Sequence, residues 1–542
     1  MASKVITQKG YAILKESLTK EQTTHLISEL TVKPKVLKAY AFGVKPFPIY
    51  MESPQRYYVP RQWGIETYGE PEANTISDGK EISSDIKFKG TPYDYQENII
   101  NQFIESGANG LICVPCGRGK TFMALNIAVR LGRKCLIVVD KEFLMNQWKG
   151  EIENYIEGAT VGILQGSTCQ LGSETVFGKP YSIEELKQMC RNNKLKVSGN
   201  KDELLKRLTD TGIDTTPKSN TIEYDITICM IQTICLKEFP NDAFKDYGFT
   251  IFDECHHLGA QHFSGALRKI QTKWMLGLSA TPNRDDGLTK VFEYYLGKAV
   301  YEEKTREPDP TVVVRAIWYK DEDPAYADVP VNYKGETITA RLLTQVVDCT
   351  RRTELVLKIL KELAEESNRQ ILVLSERICH LDAIYADLDA ENKGLGEEKY
   401  KVGYYIGGMK QSILDYNASN CQILLGTYAM ASEAMNIKTL NTMIMASPRK
   451  KIEQSTGRIL RTRPENRKVD PLIVDIIDQH ENYIRQWWSR SRYYKKCAYK
   501  IVHEGKEEKE PISESRTCGG AGSNDTCRIA IVGGDDYDSS SD

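Results

Sequence analysis

No run of about 18 consecutive apolar residues occurs anywhere in this chain of 542 residues, which removes a membrane-spanning helix from consideration. The opening MASKVITQKG lacks the apolar core of a secretory leader, so the chain is expected to remain in the compartment where it is made or to reach another by a different kind of signal. Paired cysteine patterns are missing too. The 14 cysteines stand singly in apolar segments, as at Cys113, Cys135, Cys229 and Cys421, the way buried thiols do in a reducing compartment, so no disulfide framework is expected. Cys518 and Cys527 have no second CxxC or His pair at ligand spacing, so structural zinc is not expected either. Net charge is nearly absent, at −2. That balance argues against a nucleic-acid binder only until it is read by segment. Residues 1–60 hold nine Lys/Arg against four Asp/Glu, residues 485–500 hold six basic residues and no acid, and residues 504–542 conceal both with ten acids against four bases.

With 41% hydrophobic and 27% charged residues, the composition is that of a globular protein, and the length exceeds what a single core of roughly 250 to 300 residues supports. Between Tyr93 and Val300 short apolar runs (GLICVP, CLIVVD) alternate with helical stretches (TFMALNIAVRLG, EFLMNQWKGEIENY), the pattern of βαβ units around a parallel sheet. A second series starts near Arg351 with ELVLKILKELAEE, QILVLS, CQILLGT, TMIMAS and PLIVDII. The intervening Glu302 to Cys349, with EPDP and KDEDPAYADVPVNYKGE, reads as an irregular or weakly stranded linker. The Gly-, Ser- and Asp-rich end after Glu504 reads as disordered.

Two sites carry phosphate chemistry. After GLICVP come Cys116, Gly117, Arg118, Gly119, Lys120 and Thr121, followed at once by a helix. Glycines there let backbone N–H groups face phosphates, Lys120 reaches the β and γ phosphates, and Thr121 ligates Mg²⁺. The strict loop pattern asks for Gly where Val114 stands. In TIFDECHH, Asp253 and Glu254 follow a buried strand, at the carboxyl edge where open parallel sheets bind ligands. Asp253 suits Mg²⁺ and Glu254 an attacking water; the bland alternative is a pair of helix-capping acids.

In order along the chain, further strings make the resemblance specific: TPYDYQ, FLMNQW, MIQTI, LGLSATPNRDDGL, GTYAMASEAMNI and IEQSTGRILRTR. The sequence resembles a superfamily 2 DNA helicase of the DExH type. That resemblance implies adenine recognition at Gln96 and ATP binding by residues 114–121 (Val114, Pro115, Cys116 and the loop above), with Glu433 near the nucleotide. It implies coupling through His256, Ser279, Ala280 and Thr281, and nucleic-acid contacts at Gln147, Trp148, Gln232, Thr233 and Thr427. It also implies catalytic Gln454, Arg458 and Arg461 reaching across the domain cleft as arginine fingers do. Singly, each string has a dull reading as amphipathic helix, helix cap or solvated face; their joint order is what argues against chance. Ala434 and Asn436 depart from the Gly and Asp usual after Glu433.

DECHH, LGLSATPNRDDGL and QSTGRILR are similar to the branch that holds the TFIIH helicase, phage UvsW and the poxvirus-type transcript-release helicases of large cytoplasmic DNA viruses. The expected fold is α/β, with two RecA-like parallel-sheet domains. The expected organisation is an N-terminal accessory region (1–88), a first RecA-like domain (89–302), a linker (303–349), a second domain (350–503) and a disordered acidic tail (504–542). The implied activity is ATP- and Mg²⁺-dependent 3′ to 5′ movement on DNA in viral transcription, with partners DNA, nascent RNA and a viral RNA polymerase or transcription factors, in cytoplasmic factories or virions. The alternatives are a remodelling or annealing motor without net unwinding, and a DNA-tethered polymerase scaffold with a vestigial ATPase.

Residues 180–214 interrupt the first series. Two amphipathic helices around Ser198, Gly199 and Asn200 resemble a SAP domain, which implies that Lys201, Lys206 and Arg207 meet phosphates. The competing reading is a hairpin that packs on the motor. In RQWWSRSRYYKKCAYK, Trp487, Trp488, Arg490, Arg492, Tyr493, Tyr494, Lys495 and Lys496 suit either stacking along a single strand or a terminal helix docked on the second domain. Lys33, Lys35, Lys38 and Lys45 read as a solvated face.

Overall fold

The computed structural model describes residues 2–35, 44–176, 181–213, 215, 220–240, 242–284, 286–303, 307–396, 398–433, 435, 437–460, 462 and 464–505. Helix α1 (Asp94–Glu105) leads into strand β1 (Asn109–Cys113), and helix α2 (Lys120–Leu131) follows. Then come β2 (Cys135–Val139), α3 (Glu142–Tyr155) and β3 (Val161–Gln165). After the insert, β4 (Ile226–Met230), β5 (Phe249–Phe252), β6 (Trp274–Ser279) and β7 (Ala299–Glu302) complete a parallel sheet in the order β3-β4-β2-β5-β6-β1-β7. The short strand Thr168–Cys169 adds antiparallel to β3. CLIVV, ITICM and FTIF are buried throughout, as strands covered on both faces by crossover helices must be. Because the strands run parallel, the ends of β1, β5 and β6 lie along one edge, and there stand the phosphate loop, the acid pair and Ser279 to Thr281.

The N-terminal region is mortised onto this unit. Its five-stranded sheet, centred on Gly10–Leu14 between Lys4–Thr7 and Arg56–Val59, contributes Tyr11, Ile13 and Val59, and the following helix Trp63, to a core shared with Phe252, Phe292 and Tyr295. Buried Arg61 donates to the Thr272 carbonyl at 2.8 Å and to Asn109 Oδ1 at 2.5 Å. Lys38 lies outside the described residues.

The insert is a hairpin of α4 (Ile183–Asn192) and α5 (Lys201–Asp210), carried on an antiparallel ribbon of Ser173–Val176 and Asn220–Glu223. Ser182 and Asn200 close capping boxes with Glu185 and Glu203, which accounts for both helix starts. Leu186, Cys190, Leu204 and Leu208 form a miniature core with Met189, Leu195, Val197 and Leu205, all residues of the insert. Most of the apolar face is therefore buried within the hairpin, with Ile183 left exposed.

The second unit corrects the linker. Strand β8 (Val313–Tyr319), in the segment expected to be irregular or weakly stranded, lies inside the second sheet between two parallel neighbours. Flanking EPDP and KDEDP masked the apolar run VVVRAIWY, in which only Arg315 is charged. Helix α6 (Thr350–Ala364) leads to β9 (Ile371–Ser375), and α7 (Ile378–Leu395), β10 (Val402–Tyr405), β11 (Ile423–Thr427), β12 (Thr442–Met445) and helix α8 (Glu453–Ile459) follow. The chain then forms β13 (Leu472–Asp478), α9 (Glu481–Lys496) and β14 (Lys500–Glu504), giving a parallel sheet β10-β11-β9-β12-β13-β8-β14.

Strand β13 buries two carboxylates, each matched by an arginine. Arg352 donates two hydrogen bonds to Asp478, at 2.6 and 2.9 Å. Arg490 donates two to Asp475, both at 2.8 Å, and Tyr494 donates a third at 2.9 Å. Such forks satisfy the lone pairs that burial would otherwise orphan. They also divide the C-terminal helix. Trp487, Arg490 and Tyr494 are buried against the sheet, whereas Trp488, Arg492, Lys495 and Lys496 face outward.

Candidate nucleotide site and nucleic-acid contacts

A cavity of about 630 Å³ opens over the carboxyl edge of the first sheet, lined by Gly117, Gly119, Lys120, Thr121, Asp253 and Glu254 and, from the second unit, by Lys438, Arg458, Thr462 and Asn466. Gly117 and Gly119 hold φ angles of 87° and 81°, in the left-handed region that costs glycine nothing. At Gly119 a Cβ would lie 2.4 Å from Gln96 Nε2, so a larger residue would displace the Gln96 amide from its present position. Gln96 accepts from the Tyr93 N–H and donates to the Arg118 carbonyl at 3.1 Å, pinning the loop to α1. Val114 is fully buried in the sheet core, and Lys120 Nζ reaches its carbonyl at 3.4 Å. Pro115 and Cys116 continue the wall into an adjoining cleft.

Glu254 has φ 43° and ψ 51°, a left-handed backbone that costs a non-glycine residue about 1 to 2 kcal/mol and recurs at working sites. Its Oε2 is buried without a hydrogen bond among the described residues, with His256 Nδ1 3.4 Å away. That nitrogen also meets Ser279 Oγ at 3.0 Å, and Ser279 Oγ accepts from the Thr281 N–H at 3.1 Å. Acid pair, histidine and Ser279 to Thr281 thus form one polar chain. Burial raises the Asp253 carboxyl, and the neighbouring Glu254 charge adds to the rise. At Glu254 burial acts the same way but is outweighed by His256, Lys120 and His257, so its carboxyl is lowered. Burial opposes the Lys120 charge as well, yet Cys116, Glu254 and Asp253 overcome it and raise the amine. Glu254 is therefore the more acidic of the pair, beside a Lys120 amine held cationic by the same acids.

From the opposite wall Arg458, 7% exposed, anchors its guanidinium on the carbonyls of Ala431 (2.6 Å) and Met435 (2.9 Å). Gln454, Ala280 and Thr281 line the adjoining cleft of about 380 Å³ with Cys116. Arg461 and the Glu433 side chain lie outside the described residues. The composition of the walls fits a nucleoside triphosphate with a divalent cation: a glycine loop with its lysine, a hydroxyl and a carboxylate of suitable hardness, and an unbonded buried Glu254 oxygen.

Trp148, Gln232 and Thr233, three of the residues expected on nucleic acid, hydrogen-bond within the fold. Trp148 is 1% exposed and donates from Nε1 to Asp253 Oδ2 at 2.8 Å, so it supports the acid rather than a strand. Gln147, next to it, lines the nucleotide cavity. Gln232 donates to the Asp140 carbonyl at 2.6 Å, and buried Thr233 accepts from the Gly166 N–H at 3.0 Å. The amphipathic strings could not reveal this, because a residue pointing to the acid pair and one pointing to a groove share the same helical spacing. Thr427 is half-buried at the end of β11. In the insert Lys206 is exposed and Lys201 half-buried, whereas Arg207 donates to the carbonyls of Lys196 and Ser198 and so braces the turn. The aromatic wall of the cavity went unread in the sequence. Tyr93, Tyr95, Phe122 and Tyr155 border it; Tyr93 stacks on Tyr95 at 6.0 Å, and the pair in TPYDYQ was the available signal. Another cavity, of about 1260 Å³ between the N-terminal sheet and the first unit, is lined by none of the motif residues.

Residues 89–284 match the family model of the type III restriction enzyme res subunit. Protein L396 of Acanthamoeba polyphaga mimivirus, named as an ATP-dependent RNA helicase, is 30% identical over 521 residues, covering 94% of this chain and 87% of its own length. This chain belongs to the superfamily 2 helicases. Two further viral helicases are similar across most of the chain. QP509L of African swine fever virus (strain Badajoz 1971 Vero-adapted) is 25% identical over 442 residues, covering 78% of this chain and 76% of its own length, and 161L of Invertebrate iridescent virus 6 is 24% identical over 425, covering 76% and 82%. The helicase is an ATP-dependent nucleic-acid translocase of the DExH type, and its family uses ATP with Mg²⁺.

Proposed function

We propose that this helicase moves 3′ to 5′ along DNA, separating strands or stripping a transcript from its template. One observation carries the reading: Lys120, Thr121, Asp253 and Glu254 of the first unit share a single cavity with Arg458 of the second. Lys120 grips the terminal phosphates, Thr121 and Asp253 hold Mg²⁺, and Glu254 orients the attacking water and takes its proton. Mg²⁺, when bound, neutralises the phosphate oxygens and keeps Asp253 ionised. Tyr93 and Gln96 border the adenine end. Arg458 stabilises charge on the transferring phosphate when the two units close, and Gln454 completes that face. His256, through Ser279 and on to Ala280 and Thr281, transmits the state of the acid pair to the opposing unit.

The DNA choice rests on the SAP-like insert, whose self-contained core leaves Lys201 and Lys206 outward, and on the exposed Trp488, Arg492, Lys495 and Lys496. An archaeal relative named as a DNA 3′-5′ translocase, XPB2 of Sulfurisphaera tokodaii, is 27% identical over 272 residues and supports the polarity. The viral relatives named as RNA helicases favour a transcript as the species displaced, and with it a poxvirus-like role beside a viral RNA polymerase in a cytoplasmic factory. The deciding assay measures strand displacement on DNA, RNA and hybrid duplexes with 3′ or 5′ overhangs. Displacement of DNA or RNA from a DNA tracking strand with a 3′ overhang is expected; activity confined to RNA tracking strands, or to 5′ overhangs, would reject the reading.

A further inference from the structure

The arginine of the phosphate loop does not face the phosphate cavity. Arg118 Nε lies 3.1 Å from Glu303 Oε2 and its Nη1 3.0 Å from Glu307 Oε1, while its Cζ sits 4.2 Å above the Tyr95 ring. Its own carbonyl accepts hydrogen bonds from Tyr95 Oη at 3.2 Å and Gln96 Nε2 at 3.1 Å. One residue therefore joins three parts: the phosphate loop through its backbone, the adenine-side helix through its carbonyl and ring face, and the chain leaving the first unit through its guanidinium.

The location of the two acids gives this joint its meaning. Strand β7 pairs with β1, the strand that ends in the phosphate loop, and the Glu303 N–H still bonds the Cys113 carbonyl at 2.8 Å. The connection to the second unit thus departs beside the loop that ATP must reorganise. Glu303 also faces the adjoining cleft, opposite Gln454, Arg492 and Lys496 of the second unit and next to Thr281. The Arg118 and Glu303 side chains are only 20% and 15% exposed, so water screens their ion pair less than a surface pair. A planar fork suits two carboxylates at once, which a lysine cannot match.

We propose that Arg118 is a positioning residue that ties the phosphate loop to the interdomain connection through Glu303 and Glu307, so that reorganisation of the loop by ATP is passed to the second unit. The inference rests on the motor reading above. Arg118 contributes coupling rather than chemistry: its guanidinium touches no group of the acid pair, and its partners lie where the chain changes units.

The test uses the full chain and the variants Glu303→Gln and Glu307→Gln, which remove each carboxylate charge with little change of shape, with Arg118→Lys as the conservative variant. ATP hydrolysis is measured with and without single-stranded DNA, together with strand displacement per ATP. Energy transfer between dyes on the two units reports closure on adding a non-hydrolysable ATP analogue. Glu303→Gln should keep basal hydrolysis and KM for ATP while the DNA-stimulated kcat falls about tenfold, within the usual range of intersite coupling. Closure should weaken, Glu307→Gln should do less because Glu307 is exposed, and Arg118→Lys should fall between wild type and Glu303→Gln. Full stimulation and closure in Glu303→Gln, in a wild type that is stimulated, would overturn the tie alone. Equal loss of basal and stimulated rates would also overturn it, as a merely structural contact. A wild type that hydrolyses ATP identically with and without nucleic acid would overturn both the tie and the motor reading.

Discussion

Replacing Trp148 by Phe separates two accounts of one residue. In the structure the indole N–H donates to Asp253 Oδ2 at 2.8 Å, and the ring is 1% exposed. A buried hydrogen bond to a carboxylate contributes about 1.5 to 3 kcal/mol, equivalent to roughly 10- to 150-fold in an equilibrium. Loss of an outer partner of a metal-binding carboxylate commonly lowers metal affinity by about 10- to 100-fold. Both routes predict the same outcome: the free Mg²⁺ needed for half-maximal hydrolysis rises by about one to two orders of magnitude in Trp148→Phe. Phe retains most of the ring packing, so the rate at saturating Mg²⁺ should stay within about threefold of wild type and DNA affinity at fixed salt should not change. The assay is ATP hydrolysis titrated with Mg²⁺ alongside DNA binding by anisotropy. An unchanged Mg²⁺ requirement with weakened DNA binding would refute the reasoning and return Trp148 to the strand.

Three other consequences are open to measurement. Burial, aided by Arg352, lowers the imidazole of His380 to about 3, so the unfolded chain takes up a proton below about 6.5 that the native chain refuses. Stability from this group is complete above pH 6.5 and falls by about 1.4 kcal/mol per pH unit toward pH 3; urea titrations at pH 7.5 and 5.5 should show a smaller loss in His380→Gln than in wild type. Arg490→Met strands the buried Asp475 charge and should cost about 3 to 5 kcal/mol, seen as a lowered Tm; weakened DNA binding with an unchanged Tm would mean that Arg490 contacts nucleic acid after all. Deleting residues 181–213 should reduce the slope of log affinity against log salt by about 1 to 2, the share of one or two phosphates, while sparing basal hydrolysis; an unaltered slope would remove the insert from the nucleic-acid interface.

The chemistry-bearing loops were readable in the sequence because parallel sheets impose a simple rule: a short apolar strand delivers whatever follows it to the carboxyl edge. Gly117 to Thr121 and Asp253 with Glu254 each follow such a strand, whereas Ser279 to Thr281 came only from the family resemblance. What periodicity hides is direction. Trp148 and Gln232 fit an exposed helix face as well as a buried one, and only the fold turns them toward Asp253 and Asp140. Local chemistry misled at β8, where prolines and acids on both sides made a buried strand look like linker. In the C-terminal helix the two readings divide between neighbours: Trp487 is buried as the docking reading requires, whereas Trp488 is exposed. The partners that bury Arg490 and Arg352 lie on β13, and no local pattern announces that two of its aspartates are charged and interior.

The central claim is that Lys120 and Glu254 run an ATPase whose second wall is supplied by another unit and whose rate answers to nucleic acid. Steady-state hydrolysis by wild type, Lys120→Ala and Glu254→Gln, each with and without single-stranded DNA, tests it most directly. Wild type should be stimulated by DNA, and both variants should lose the stimulated rate by about 10³-fold or more while keeping the wild-type Tm within a few degrees. Hydrolysis persisting in both variants would contradict the account.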